Sequence, residues 1–218
     1  MIPPPEVLST ALARLAPEGV AIGVRRISEA DASELHDVEA AHVERAVPKR
    51  RNEYASGRRL LRDLLRTDDT IPTADDRKPM LPDGSVGSLA HDDHFVVAAV
   101  AKADDFGALG VDVEPATPLA GSLATAIVRP DEHVDAHLAF TLKEAVYKAW
   151  SVGGGPMLEH HDVRLELNEG DPDGRPVPYR GEVVASGTVL NGHFTRAGGR
   201  WLALVTVPEG RVYSAAHG

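Results

Sequence analysis

Leu109-Gly110-Val111-Asp112-Val113-Glu114-Pro115 is the stretch on which the reading of this chain turns. Its alternation is that of a β-strand. Side chains two apart share a face, so Asp112 and Glu114 project together while Val111 and Val113 point the other way, into a core. Pro115, which has no N–H to give a ladder, ends the strand. Two carboxylates this close repel unless a cation lies between them. Magnesium suits such a pair, because it takes a few carboxylates and completes its shell with water and phosphate oxygens. Taken alone, the pair reads equally well as the solvated face of an edge strand.

Downstream, Ala139 to Val152 carries helical periodicity and is closed by Gly153-Gly154-Gly155-Pro156. Leu142, Ala145, Val146, Ala149 and Trp150 form its apolar stripe. Glu144 and Lys148, four apart, share another face, which by itself is the commonest surface pair. Upstream, Val86 to Ala90 and Phe95 to Ala101 read as strands around Asp92-Asp93-His94. Residues 67–85, rich in Pro, Asp and Gly, read as a loop. Arg50 to Arg66 reads as a helix with Tyr54, Leu61, Leu64 and Leu65 inward. Arg51, Arg58 and Arg62 align on one face with Arg50 at its flank, a spacing that serves a phosphate or a solvated arginine face. Ser28 with Asp31 resembles a capping box opening a helix through about Val47. Residues 6–16 read as a short helix, and Val20, Ile22 and Val24 as a strand. The remainder, at 163–167, 182–189, 193–196 and 201–207, reads as antiparallel strands. Helices and strands mix without βαβ alternation, so the expected class is α+β. The expected division is 1–115 and 116–218.

Of the 218 residues, 43% are hydrophobic and 26% charged, the balance of a globular chain. No cysteine is present, which excludes disulfides, thiolate metal sites and cysteine nucleophiles. The start, Met1-Ile2-Pro3-Pro4-Pro5, lacks the basic head and apolar run of a signal peptide, and no stretch approaches a membrane span. A cytoplasmic, membrane-free protein is expected. The net charge of −10 repels a polyanion, so nucleic acid is a poor partner. Yet basic residues crowd at 49–66, where a smaller anion could be held.

Four segments in this order resemble one family: "RRNEYASGRRLLRDLL" (50–65), "RKPMLPDGSVGSLAH" (77–91), "LGVDVEP" (109–115) and "FTLKEAVYKAW" (140–150). They are similar to the Sfp-type 4′-phosphopantetheinyl transferases, in the branch serving siderophore and polyketide synthesis. The resemblance spans about residues 48–158. It implies a pseudo-two-fold α+β monomer of two similar halves, with coenzyme A in the cleft between them. It also implies transfer of the 4′-phosphopantetheine group to a serine of an acyl or peptidyl carrier protein, releasing adenosine 3′,5′-bisphosphate.

Position by position, Asp112, Glu114 and Glu144 match the family's magnesium acids, with manganese an acceptable substitute. Glu144 is also the candidate base. Lys148 matches a pyrophosphate contact, and Arg50 and Arg58 match arginines near the 3′-phosphate and adenine. Lys78 and Pro79 fall where a loop packs on adenine, and His91 matches a phosphate contact. Leu158 lies where the chain after the helix meets the pantetheine arm. Ala90 stands where the family usually has Ser or Thr, so a hydroxyl contact is lost while the backbone N–H remains. Carrier docking is expected on a local apolar patch near 153–156 or 116–130. Two other classes compete: a magnesium phosphohydrolase acting on simple esters, and a docking module that holds a carrier without modifying it. All three acids are present, which argues against the second.

Overall fold

In a computed structural model, which describes residues 2–210, eight strands form two antiparallel sheets. β1 (Ala21–Arg26), β2 (Ser85–His91) and β3 (Phe95–Lys102) make the first, in the order β1-β3-β2. β4 (Phe106–Pro115), β5 (Val163–Leu167), β6 (Val177–Val183), β7 (Thr188–Ala197) and β8 (Arg200–Pro208) make the second, in the order β4-β8-β7-β6-β5. The helices are α1 (Pro5–Leu15), α2 (Asp37–His42), α3 (Pro48–Leu65), α4 (Gly121–Ile127) and α5 (Ala136–Val152), and the class is α+β as expected. Among the described residues no helix is long and apolar enough to cross a membrane.

β3 shows why its sequence is an unbroken apolar run. Val96, Ala98 and Val100 pack with Leu60 and Leu61 of α3. Phe95, Val97, Ala99 and Ala101 pack with Leu8, Leu12 and Leu15 of α1. A strand covered on both faces needs apolar side chains at every position.

β4 carries the same logic to the site. Leu109, Val111 and Val113 join the α1 core, and the alternate positions face α5. At Gly110 the helix comes so close that a Cβ would overlap the Ala145 carbonyl oxygen and lie 2.8 Å from the Ala149 nitrogen. Asp112 and Glu114 continue that face towards the earlier turns of α5. Its start is fixed by Asp135, whose carboxylate accepts from the His137 and Leu138 N–H groups, a cap worth about 1 kcal/mol. The strand expected in the first half is joined by its hydrogen-bond ladder to β8 of the second sheet. It also lies along β2, where the Val111 N–H donates to Ser88 Oγ at 3.0 Å. The cleft opens over this seam.

Three expectations are corrected. The helix over 28–47 is broken into a 3₁₀ segment, Glu29–Glu34, and the short α2, because Leu35 and His36 are extended. Ser28 caps the 3₁₀ turn, but Asp31 is buried in a pair with Arg25 and Ser56 instead of closing a capping box. The strand read at 182–189 is the end of β6 and the start of β7 with the hairpin turn 184–187 between them, where Gly187 takes a φ of 66°. The link after Pro115 also contains α4, which its Gly and Pro content hid.

Candidate active site

A cavity of about 690 Å³ lies between α3, the 66–84 loop and β2 on one side and β4 and α5 on the other. Arg50, Arg58, Lys78, Pro79, Ala90, His91, Asp112, Glu114, Glu144 and Lys148 all border it. Leu158 does not. It packs against the core under α5, because the chain after the triple glycine folds back onto the sheet.

The first wall is basic. Arg58 is buried, with Nε donating to the Ile71 carbonyl at 2.6 Å and Nη2 to Thr73 Oγ1 at 2.8 Å. Its guanidinium lies 4.3 Å from the Tyr54 ring centre, and the Tyr54 hydroxyl is 3.1 Å from Thr73 Oγ1. Burial lowers its proton affinity, although an arginine stays charged throughout. The arginine row read from the sequence is therefore divided. Arg62 turns inward to Glu39, with both oxygens of that carboxylate within 2.9 Å of Nη1. Arg51 is spent on the Glu44 carbonyl. α3 is packed on two sides, so one helical face cannot remain open. Arg50, from the flank, is the exposed one. Its Nη1 lies 3.1 Å from His91 Nε2 and 3.4 Å from Glu53 Oε2.

Lys78 bridges the walls. Its Nζ donates to the Ser151 carbonyl in the last turn of α5 at 3.1 Å and pairs with Asp76 at 2.9 Å, which holds the Asp76 carboxyl below its usual range. Ala90 offers the cavity no hydroxyl, and the nearby Ser88 hydroxyl is engaged by Val111.

The second wall is acidic. Lys148 Nζ donates to Asp112 Oδ1 at 2.6 Å and to the Val111 carbonyl at 3.1 Å. Asp112 Oδ2 is buried without a hydrogen-bond partner. Burial raises the proton affinity of Asp112, against the pull of Lys148. Glu114 is pushed up to about 8, first by burial and then by the charge of Asp112. Glu144 stands in the same field, its charge also acting on both of them. Among the described residues, no three His, Asp or Glu side chains are already drawn into a metal cage. Each of the three acids is instead held beside its own basic side chain. Glu114 Oε2 lies 3.5 Å from His137 Nε2, and Glu144 Oε1 lies 3.4 Å from His160 Nε2.

The donor set still fits magnesium, being all oxygen. A buried carboxylate oxygen with no protein donor, beside a glutamate that resists ionising, marks a site short of positive charge. Sequence reading missed Tyr54 as a platform for Arg58, Glu53 behind Arg50, and the two histidines. His137 could have been found, since it precedes Glu144 by seven residues and so shares its helical face. His160 has no such signal.

Comparison with known proteins shows the family. The family profile described as the 4′-phosphopantetheinyl transferase N-terminal domain matches residues 38–101, which hold α3, the loop and β2. The 4′-phosphopantetheinyl transferase Svp of Streptomyces mobaraensis is 36% identical, over 84% of this chain and 84% of its own. PptT of Mycobacterium tuberculosis is 31% identical over 81% and 83%, and Npt of Nocardia iowensis 30% over 77% and 83%. The acidic wall, which the profile leaves out, falls within such near-full-length alignments, and on their strength the chain belongs to the 4′-phosphopantetheinyl transferases.

Proposed function

We propose that this chain, as a cytoplasmic monomer, transfers the 4′-phosphopantetheine group of coenzyme A to a serine of an acyl or peptidyl carrier protein. The observation that carries the reading is the single cavity with a basic wall built for an anionic nucleotide and an acidic wall built for a cation. Arg58 and Arg50, with His91, hold the nucleotide phosphates. Lys78 and Pro79 cover the base from the loop. Lys148, between Asp112 and the cavity, meets the pyrophosphate and stabilises charge on the departing oxygen.

Asp112, Glu114 and Glu144 would hold magnesium, which when bound supplies electrostatic stabilisation of the pyrophosphate. Glu144 takes the proton of the carrier serine. The serine oxygen forms a bond to the phosphorus bearing pantetheine, the bond from that phosphorus to the bridging oxygen breaks, and adenosine 3′,5′-bisphosphate leaves. The carrier lands on apolar side chains at the cleft's second half. Leu123 and Met157, 54% and 75% exposed, lie on and beside the segments where such a patch was expected.

Mass spectrometry of an apo carrier protein, incubated with the chain, coenzyme A and Mg²⁺, tests the assignment. The expected result is a mass gain of one phosphopantetheine. Hydrolysis of simple phosphoesters without any carrier modification would favour the phosphohydrolase reading instead.

A further inference from the structure

The three acids of the second wall are alike in one respect. Each sets one carboxylate oxygen beside a nitrogen from a different part of the chain, hydrogen-bonded at Asp112 and at ion-pair distance at the two glutamates, and the other oxygen has no hydrogen-bond partner among the described residues. Asp112 gives Oδ1 to Lys148 of α5. Glu114 sets Oε2 beside His137, in the first turn of α5. Glu144 sets Oε1 beside His160, at the start of the 3₁₀ turn before β5.

Neither histidine is a loose surface group. The His137 side chain is 10% exposed, and its Nδ1 donates to the Thr117 carbonyl at 2.6 Å, which fixes the ring and turns Nε2 to Glu114, to which the ring donates a second bond in its imidazolium form. The His160 ring packs against Phe140, at 5.3 Å between centres. Its Nε2 is buried and has no hydrogen-bond partner of its own, lying just beyond a good bond to Glu144. A buried ring nitrogen facing a carboxylate at that distance needs only a small adjustment to satisfy both.

From this juxtaposition we infer that His137 and His160 are positioning residues. They brace Glu114 and Glu144 from behind, as Lys148 braces Asp112, so that one oxygen of each acid is presented to the cation. The inference rests on the magnesium reading above. Carboxylates that hold a metal are themselves held by hydrogen bonds, and loss of such outer partners weakens metal binding or activity about 10- to 100-fold. Without the braces, two flexible glutamates would have to be ordered by the metal alone. The same arrangement gives the triple-glycine turn a purpose beyond ending α5, since it returns the chain so that His160 reaches Glu144.

The test is Mn²⁺ binding to the free, full-length enzyme, read by electron paramagnetic resonance and by competition with Mg²⁺. His160→Ala and His137→Asn are expected to raise the Mn²⁺ Kd about tenfold or more. His137→Asn keeps a donor for Thr117 and removes only the arm to Glu114. His160→Gln, whose amide can still donate to Glu144, should recover most of the affinity. His160→Phe, which keeps a ring against Phe140 but has no nitrogen, should not. Near-ultraviolet circular dichroism and melting confirm that each variant is folded, and the Gln and Phe variants preserve bulk if the alanine variant is not. Wild-type Kd in the Phe and Asn variants overturns the inference, as does a folded Gln variant as weak as Phe. A wild-type enzyme that binds no Mn²⁺ overturns the metal reading itself, and the bracing with it.

Discussion

The basic wall and the acidic wall of the cleft are neutralised in opposite ways. On the basic side, Arg58 is buried on neutral partners: a carbonyl, a hydroxyl and a tyrosine face. Only four residues along the same helix, Arg62 is buried on a carboxylate. On the acidic side, three carboxylates share one lysine and two histidines, and a buried oxygen is left over. Each wall is thus incomplete in its own sign of charge. Under the proposed function an anion completes the first and a cation the second, and magnesium pyrophosphate would bring both. The difference lies in stiffness. The arginine platform is fixed by backbone and aromatic contacts, whereas the acids hang from side-chain braces.

The sharpest way to break this contrast is at the acidic wall. Asp112→Ala should abolish transfer to carrier protein at any Mg²⁺ concentration, since the residue links Lys148, the cation and the strand. Glu144→Gln, which keeps the shape, should lower kcat by about 10²–10⁴ if the carboxylate takes the serine proton. Wild-type turnover in Glu144→Gln would remove both of its assigned roles.

The two arginines give the next largest effect. Arg62→Ala strands the Glu39 carboxylate, and loss of one partner of a buried pair costs about 3–5 kcal/mol. It should lower Tm steeply while the surviving folded enzyme keeps its KM for coenzyme A. Arg58→Ala should do the reverse, raising KM about tenfold or more with kcat less affected, because its contacts lie away from the reacting bond. Equal Tm losses with unchanged KM in both variants would show that Arg58 is only structural.

A smaller effect concerns pH. Glu114 is raised from 4.5 to about 8, so the folded, metal-free protein binds its proton more tightly than the unfolded chain does. Its contribution to stability is complete below about 4.5 and is lost as pH rises towards 8. Melting in chelator should therefore decline across that window, and Glu114→Gln should flatten the decline. An identical slope in both proteins contradicts the shift. Least affected is Lys78→Ala, which unties the loop from Ser151. A rise of about two- to fivefold in KM for coenzyme A is expected, with kcat unchanged, on the scale of one exposed charged contact.

Where the sequence was readable, a strict period or a close approach made it so. Alternation in β4 placed Asp112 and Glu114 on one face, and the stripe of α5 placed Leu142, Ala145 and Ala149 inside. Gly110 belonged to the recognised motif, but its reason is visible only in the contact with the Ala145 backbone. The arginine row misled because helical periodicity shows which side chains share a face, not how many neighbours cover it. α3 is enclosed by β3 and the 29–34 segment, so Arg58 and Arg62 lie inside. Leu158 was set in the cavity and packs against the core, while His160, two residues on, comes within 3.4 Å of Glu144. Chain after a run of glycines has no periodicity from which its direction can be read.

If Arg58 holds the nucleotide phosphates as proposed, it ties the durability of this protein to the supply of its own substrate. A cation kept inside on neutral partners leaves the empty fold with an unanswered charge. A ligand that binds only the folded state at a hundred times its Kd adds about 2.7 kcal/mol of stability. On that reading, in a cell rich in coenzyme A the enzyme is held folded by the molecule it consumes. Where coenzyme A is scarce, more of the chain is open to proteases, so the capacity to prime carrier proteins declines together with the cofactor that primes them.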